Sequence, residues 1–174
     1  VLIMADDVGC EPIGCYGGKS FATPNVDALA KNGMKFEHCY SMPVCHPSRM
    51  ALMTGRYPFR LKAGWGSFPK AEEKNSIGRV MQRAGYATAV AGKWQLALMK
   101  KDLEQPRRLG FDKWSVFGWH EGARFHDPMI YQNGKVRNDL KGRYGPKIYV
   151  DFLSAFMERS HKGNKPFFAY YSMA

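Results

Sequence analysis

The run Cys45-His46-Pro47-Ser48-Arg49, followed closely by Thr54-Gly55-Arg56, sets one thiol beside a helix start and a fixed cation. Proline suits the first turn of a helix, where its missing N–H and preset φ cost nothing. The pattern predicts a helix over 47–54 with Cys45 near the positive end of its dipole. Arg49, four residues along, makes this a pocket for negative charge, either a thiolate or a bound oxyanion. Two adjacent carboxylates, Asp6 and Asp7, end the short apolar run Val1-Leu2-Ile3-Met4-Ala5. Such a run reads as a buried parallel strand, and open α/β sheets bind ligands beyond the carboxyl ends of their strands. Neighbouring carboxylates repel one another, which favours a divalent cation beside them. A second buried strand, Ala87-Thr88-Ala89-Val90-Ala91, leads into Gly92-Lys93-Trp94-Gln95-Leu96. Lys93 would then stand at the same sheet edge as Asp6, able to grip a tetrahedral oxyanion as a point charge.

These residues resemble the type I sulfatases, whose signature is C-x-P-S-R followed after a short gap by T-G-R. Seven specified positions at fixed spacing rarely coincide by chance in a chain of 174 residues. The resemblance implies that Cys45 is oxidised after synthesis to formylglycine by a formylglycine-generating enzyme. It also implies that Asp6, Asp7 and the modified Cys45 bind calcium, and that Lys93, in the family's G-K-W-H-L-G segment, contacts substrate sulfate. On that reading the chain is a sulfuric ester hydrolase acting on a sulfated small molecule or glycan. Hydrated formylglycine offers two hydroxyls. One, ionised beside calcium, would attack sulfur and expel the alcohol of the ester while the metal, Arg49 and Lys93 stabilise the added negative charge; the second would then lose its proton, the aldehyde re-form and sulfate leave.

Gln95 departs from the pattern, since the family usually has histidine there, in contact with the formylglycine hydroxyl. Glutamine can donate or accept a hydrogen bond but cannot take a proton near neutral pH. The departure bears on proton transfer more than on binding, and the expected reading is a variant in which another base serves. Two rivals stand beside it. One is phosphonate or phosphate ester cleavage on the same scaffold, because sulfate and phosphate are both tetrahedral. The other is a calcium- or glycan-binding relative without turnover.

Positioning these groups requires an alternating chain. The expected order is strand 1–5, a Gly-rich turn at 14–18, and a helix from Thr23-Pro24 that ends at Gly33. Strand 35–41, carrying His38 and Cys39, then feeds the motif, and helix 47–54, helix 76–84 and strand 86–91 follow. Residues 98–144 read as a looser stretch rich in Gly, Lys and Arg, with short apolar pieces such as Trp114–Trp119. A helix over 147–159 and a strand over 167–172 close the chain. Strands alternating with helices imply a mainly parallel α/β sheet flanked by helices. The fold that the resemblance implies is alkaline phosphatase-like and, in this chain, incomplete.

Residues 1–174 are expected to be the N-terminal portion of a sulfatase catalytic domain, with both ends truncated and little activity of their own. The apolar fraction of 45% and aromatic fraction of 14% are those of a globular protein. Net charge is +11, unevenly spread: residues 1–50 hold four Lys or Arg against five Asp or Glu, and residues 51–174 hold 22 against ten. A basic surface attracts anionic ligands, sulfated glycans included. No zinc-finger spacing, RNP-like aromatic run or long basic block accompanies the charge, so no nucleic-acid partner is expected. No apolar run reaches about 18 residues, so no membrane span is expected. The four cysteines form no C-x-x-C pair. The compartment implied by the resemblance is extracytoplasmic: periplasmic, secreted or lysosomal. The His126-Asp127 pair is expected to lie in the loop-rich region, away from the strand ends that carry the motifs, and an isolated histidine such as His120 or His161 has no partner geometry to give it a role. His46, at the motif's variable position, is expected to orient nothing.

Overall fold

Side chains alternate across each strand, and the alternation decides which helices cover which face. The computed structural model describes residues 1–173, so Ala174 lies outside it. Its strands are β1 (Leu2–Met4), β2 (Ala87–Lys93), β3 (Lys113–Phe117), β4 (Tyr131–Gln132), β5 (Lys135–Val136) and β6 (Phe167–Ser172). Its helices are α1 (Pro24–Asn32), α2 (Cys45–Thr54), α3 (Ile77–Arg83), α4 (Gln105–Arg108) and α5 (Gly145–Lys162). The sheet order is β1-β6-β2-β3-β4-β5. The first four strands in that order run parallel, and β4 and β5 add an antiparallel hairpin at one edge.

On one face Val90, Trp114, Val116, Phe168 and Tyr170 pack with Phe111 and with Met50 and Met53 of α2. On the other, Ala89, Ala91, Phe117 and Ala169 meet α5. The three alanines leave room for that helix to sit close, and its buried Ile148, Tyr149, Leu153 and Phe156 recur at helical spacing. Each large side chain buried in these layers contributes roughly 2–3 kcal/mol. Arg159 and Lys162 stand in the last turn of α5, where cations suit the negative end of the helix dipole.

The expected mainly parallel sheet is present, and strand 167–172 has the bounds read from the sequence. Helix 76–84 appears as Ile77–Arg83, with the Ser76 side chain accepting from Arg79 N. Helix 47–54 begins earlier, at Cys45. Helix 147–159 is longer, Gly145–Lys162.

Segment 35–41 is not a strand. It has no ladder partner, because β1 pairs only with β6, and Phe36 and Tyr40 point to solvent. A strand exists only where its backbone groups are paired. Cys39 and His38 therefore sit on exposed, irregular chain. In the stretch read as loose, Lys113–Phe117 is a central parallel strand, paired along its whole length with β2. Its Trp114, Ser115 and Val116 are fully buried.

Gly92 is the tightest point between β2 and β6. Its φ is +98°, and a Cβ there would stand 1.8 Å from the Ser172 carbonyl oxygen. Replacement would both strain the backbone and push β6 away from β2 next to Lys93. Gly92→Ala is expected to lower unfolding free energy by about 3 kcal/mol or more. Urea denaturation followed by circular dichroism checks this, and an unchanged midpoint would refute it.

Candidate active site

Parallel strands bring their carboxyl ends to one edge. Here that edge collects Asp6 and Asp7 after β1, Lys93 at the end of β2 and Ser172 at the end of β6. Helix α2 aims its N-terminus at the same place. Val44 caps it without a side-chain hydrogen bond, and Pro47 has no N–H, so the amides of Cys45 and His46 face outward from the first turn. Cys45 is half-buried there. It lines a cavity of about 450 Å³ together with Asp6, Asp7, Met42, Val44 and Ser48.

The rest of the signature builds this helix. Ser48 Oγ donates to Val44 O at 2.9 Å and Met42 O at 3.2 Å, fixing the chain that enters the helix. Gly55 ends it with φ +66° and donates to Ala51 O. Thr54 Oγ1 donates to Met50 O at 2.7 Å and accepts from Arg56 N, and Arg56 pairs with Glu72 at 2.6 Å. Thus Thr54-Gly55-Arg56 terminates and anchors the element that presents Cys45.

Arg49 lies one turn past Cys45 and is 1% exposed. Its Nη2 donates to Asp6 Oδ1 at 2.9 Å, and Nη1 donates to Lys93 O at 3.0 Å and to Ser172 Oγ. Ser172 Oγ donates in turn to Lys93 O. Arg49 therefore ties α2 to the ends of β1, β2 and β6. The Lys93 side chain is fully buried and its Nζ donates to Asp6 Oδ2 at 2.6 Å. The indole of Trp119 covers the same ammonium, 4.2 Å from it. Burial alone would raise the pKa of Asp6, yet hydrogen bonds and charge from Lys93 and Arg49 outweigh it and hold the carboxyl below its usual 3.8.

Gln95 is 1% exposed with φ +53°, and neither its Oε1 nor its Nε2 has a hydrogen-bonding partner among the described residues. Its neighbours are locked: Trp94 Nε1 donates to Gln105 Oε1, and Gln105 Nε2 donates to Leu96 O.

Asp6 and Asp7 suit calcium in kind, as hard oxygen donors beside a cavity that also reaches Cys45. They fall short in number. No group of three or more His, Cys, Asp or Glu positioned for a metal occurs among the described residues, while calcium takes six to eight oxygens.

Several side chains sit differently from expectation. His46 is buried, its Nε2 lies 3.0 Å from Ser67 O, and its ring packs against Trp65 at 5.2 Å. It anchors the 64–68 loop to α2 instead of orienting nothing. Burial lowers its pKa more than the Ser67 contact raises it, and Arg49 lowers it further, so the ring is neutral at pH 7 and donates to that carbonyl. The segment after β3 does reach the site, through Trp119, and exposed His120 stands edge-on to that indole at 4.4 Å. His126 instead bridges to Tyr144, and Asp127 accepts from Gly142 N, so this pair pins a loop. Ser172 and Trp119 were missed by sequence reasoning. The rule that ligands gather past the carboxyl ends of parallel strands would have pointed to both, once β3 and β6 were placed beside β2.

Comparison with known proteins gives one family. The sulfatase model matches residues 1–174. The chain is 32% identical to an N-acetylglucosamine-6-O-sulfatase of Bacteroides thetaiotaomicron over 96% of its own length and 28% of that protein's. It is 31% identical to an ulvan-active sulfatase of Formosa agariphila, over 100% of this chain and 34% of the relative. Among solved structures, it superposes on BT4656 in complex with its substrate D-glucosamine-2-N,6-O-disulfate with a TM-score of 0.82 and 31% identity, covering 99% of this chain and 33% of that one. It superposes on Ps i-CgsB with a TM-score of 0.86 and 27% identity, covering 98% and 43%. The chain thus spans about a third of the length of these relatives.

Asp6 is the shared partner of two buried cations, and Asp6→Asn leaves both without their charge. At pH 7 the variant is expected to lose about 3 kcal/mol of stability. Because the folded carboxyl titrates below its unfolded value, the contribution is present above about pH 4 and is lost as pH falls through the folded pKa. The gap between parent and variant should therefore close on acidification. Urea titrations at several pH values read it, and a pH-independent gap would contradict the ion-pair account.

Proposed function

Because this chain belongs to the sulfatase family, its match running over residues 1–174, we propose that it forms the N-terminal portion of a catalytic domain that hydrolyses sulfate esters through a formylglycine made from Cys45. The observation that carries this reading is the buried Lys93–Asp6–Arg49 cluster lying against the cavity that Cys45 opens into. A maturation enzyme of the formylglycine-generating class would supply the modification, and an extracytoplasmic compartment belongs to the same reading. The substrate is a sulfated sugar or another sulfated alcohol, in line with the substrate in the BT4656 complex.

The chain's own residues divide the work. The outward amides of Cys45 and His46 give the nucleophile's position a preference for negative charge. Lys93 is desolvated and held by Asp6 and by the Trp119 indole, so its charge is fixed behind Asp6, and direct contact with a sulfuryl oxygen needs Trp119 or Asp6 to give way. Arg49 keeps Asp6 ionised and in place. Asp6 and Asp7 would hold calcium with oxygens from elsewhere, and the ion would supply a Lewis-acid charge at the sulfuryl group. The unpartnered amide of Gln95 keeps its hydrogen-bonding capacity for a group that enters the site. It can orient a hydroxyl but cannot take its proton.

Peptide mass spectrometry of the full-length protein, co-expressed with a formylglycine-generating system, tests the nucleophile. The tryptic piece Phe36–Arg49 is expected to lose about 18 Da at Cys45 and not at Cys39. Retention of the thiol, with a control sulfatase converted in parallel, would leave a binding relative without turnover, a reading that Gln95 makes conceivable.

Gln95→His restores a titrating ring. The converted variant is expected to gain roughly ten-fold or more in kcat and a new ionisation between pH 5 and 8 in its rate profile. Unchanged kcat and profile would place Gln95 outside the proton path.

A further inference from the structure

A basic cavity lies beside α3 and shares no lining residue with the Cys45 cavity. It measures about 450 Å³ and is lined by Lys70, Lys74, Arg79, Arg83 and Arg108, with Glu73 as its lining carboxylate. Its position follows from the contacts around it. Arg79 Nε donates to Arg108 O at 2.8 Å, Gln82 donates to Asp112 Oδ1, and Asp112 Oδ2 accepts from the backbone N–H of Thr88. Thr88 stands at the start of β2 and Lys93 at its end, roughly 16 Å of strand apart at about 3.3 Å per residue, while Lys70, Glu73 and Arg108 on the cavity's other side also border Leu96 and Leu98.

Its cations are held without being neutralised. Arg83 Nη1 donates to Lys74 O at 2.8 Å, and Arg79 donates to Arg108 O and to Gln82 Oε1. Neutral oxygens thus fix both guanidiniums while leaving their charge unspent. Lys70 and Lys74 are exposed, and neither ammonium has a hydrogen-bonding or ion-pair partner among the described residues. Of these five, Arg108 alone is charge-paired among the described residues, to Glu73 at 2.8 Å and to Asp102. Five cations therefore face two carboxylates in a concave space. Converging, pre-positioned cations of this kind recognise tetrahedral or carboxylate oxyanions, and arginine does so with a fixed fork.

We propose that this cavity is a second anion site, which binds an anionic group on a sulfated glycan chain whose reacting sulfate ester occupies the distant Cys45 site. The choice of sulfated glycan rests on the sulfatase reading, and the cavity itself does not. A polymer bound at both places gains local concentration at the active site, whereas a monosaccharide cannot reach both.

The test is binding of the full-length protein to heparin, a densely sulfated glycan, with Lys70→Ala, Lys74→Ala and Arg83→Gln combined. These side chains are exposed, so the thermal midpoint serves as a check on folding. The triple variant is expected to bind heparin about ten-fold more weakly in low salt, with a shallower salt dependence. Its KM for a sulfated monosaccharide should stay unchanged. A control, Lys141→Ala with Lys162→Ala and Lys165→Ala, removes as much charge elsewhere. Equal weakening in the control, or none in the triple variant, would overturn the site. Inorganic polyphosphate bound as tightly as heparin would overturn its assignment to sulfated glycans. Failure of Cys45 to convert would overturn the sulfatase reading alone, because heparin binding is read without turnover.

Discussion

Three charges share a dry space at the end of the sheet: Asp6 takes the Arg49 guanidinium on one oxygen and the Lys93 ammonium on the other. Their side chains are at most 5% exposed. Removing ions from water is costly, and the arrangement holds only because each charge has a close partner and further hydrogen bonds. Arg49 also reaches the Lys93 carbonyl and Ser172, so four separate stretches of chain must register before the charges are satisfied. The cluster therefore dictates where α2 sits, and with it where Cys45 faces.

That geometry depends on features with no chemistry of their own. Gly92 lets β6 approach β2 closely enough for Ser172 to meet the Lys93 carbonyl. Ala89, Ala91 and Ala169 let α5 lie flat on the far face. Half of the cysteine signature serves the same end, since Gly55 stops the helix and Arg56 ties its exit to Glu72. A pattern recognised for its reactive residue is thus largely a specification for a short, well-anchored helix.

Legibility followed the locality of the cause. Strand 167–172 was plain because a compact apolar run rich in aromatic residues, Phe167-Phe168-Ala169-Tyr170-Tyr171, needs no knowledge of its neighbours. The helix carrying Cys45 was plain from Pro47 and Gly55. Lys113–Phe117 was obscure because its sequence carries a lysine and a serine inside a region rich in turn residues. Only its position between β2 and the β4–β5 hairpin makes it a central strand. The reverse error fell on 35–41, which reads as a strand but forms no ladder even though the outer edge of β1 is open.

By itself, the sequence determined the chemical parts: a cysteine at a helix start, two carboxylates after one strand, a lysine after another, and a glutamine unable to move protons. These rest on short-range rules of turn, cap and strand that act within a few residues. Only the tertiary structure decided that Arg49 would be spent on Asp6, that Trp119 would cover Lys93, that Ser172 would lock the strand ends, and that His46 would anchor a loop. Each of those depends on contacts between residues far apart in the chain, and burial raises the cost of every charge left unpaired. The partners are therefore chosen by the folded arrangement, not by the neighbours in sequence.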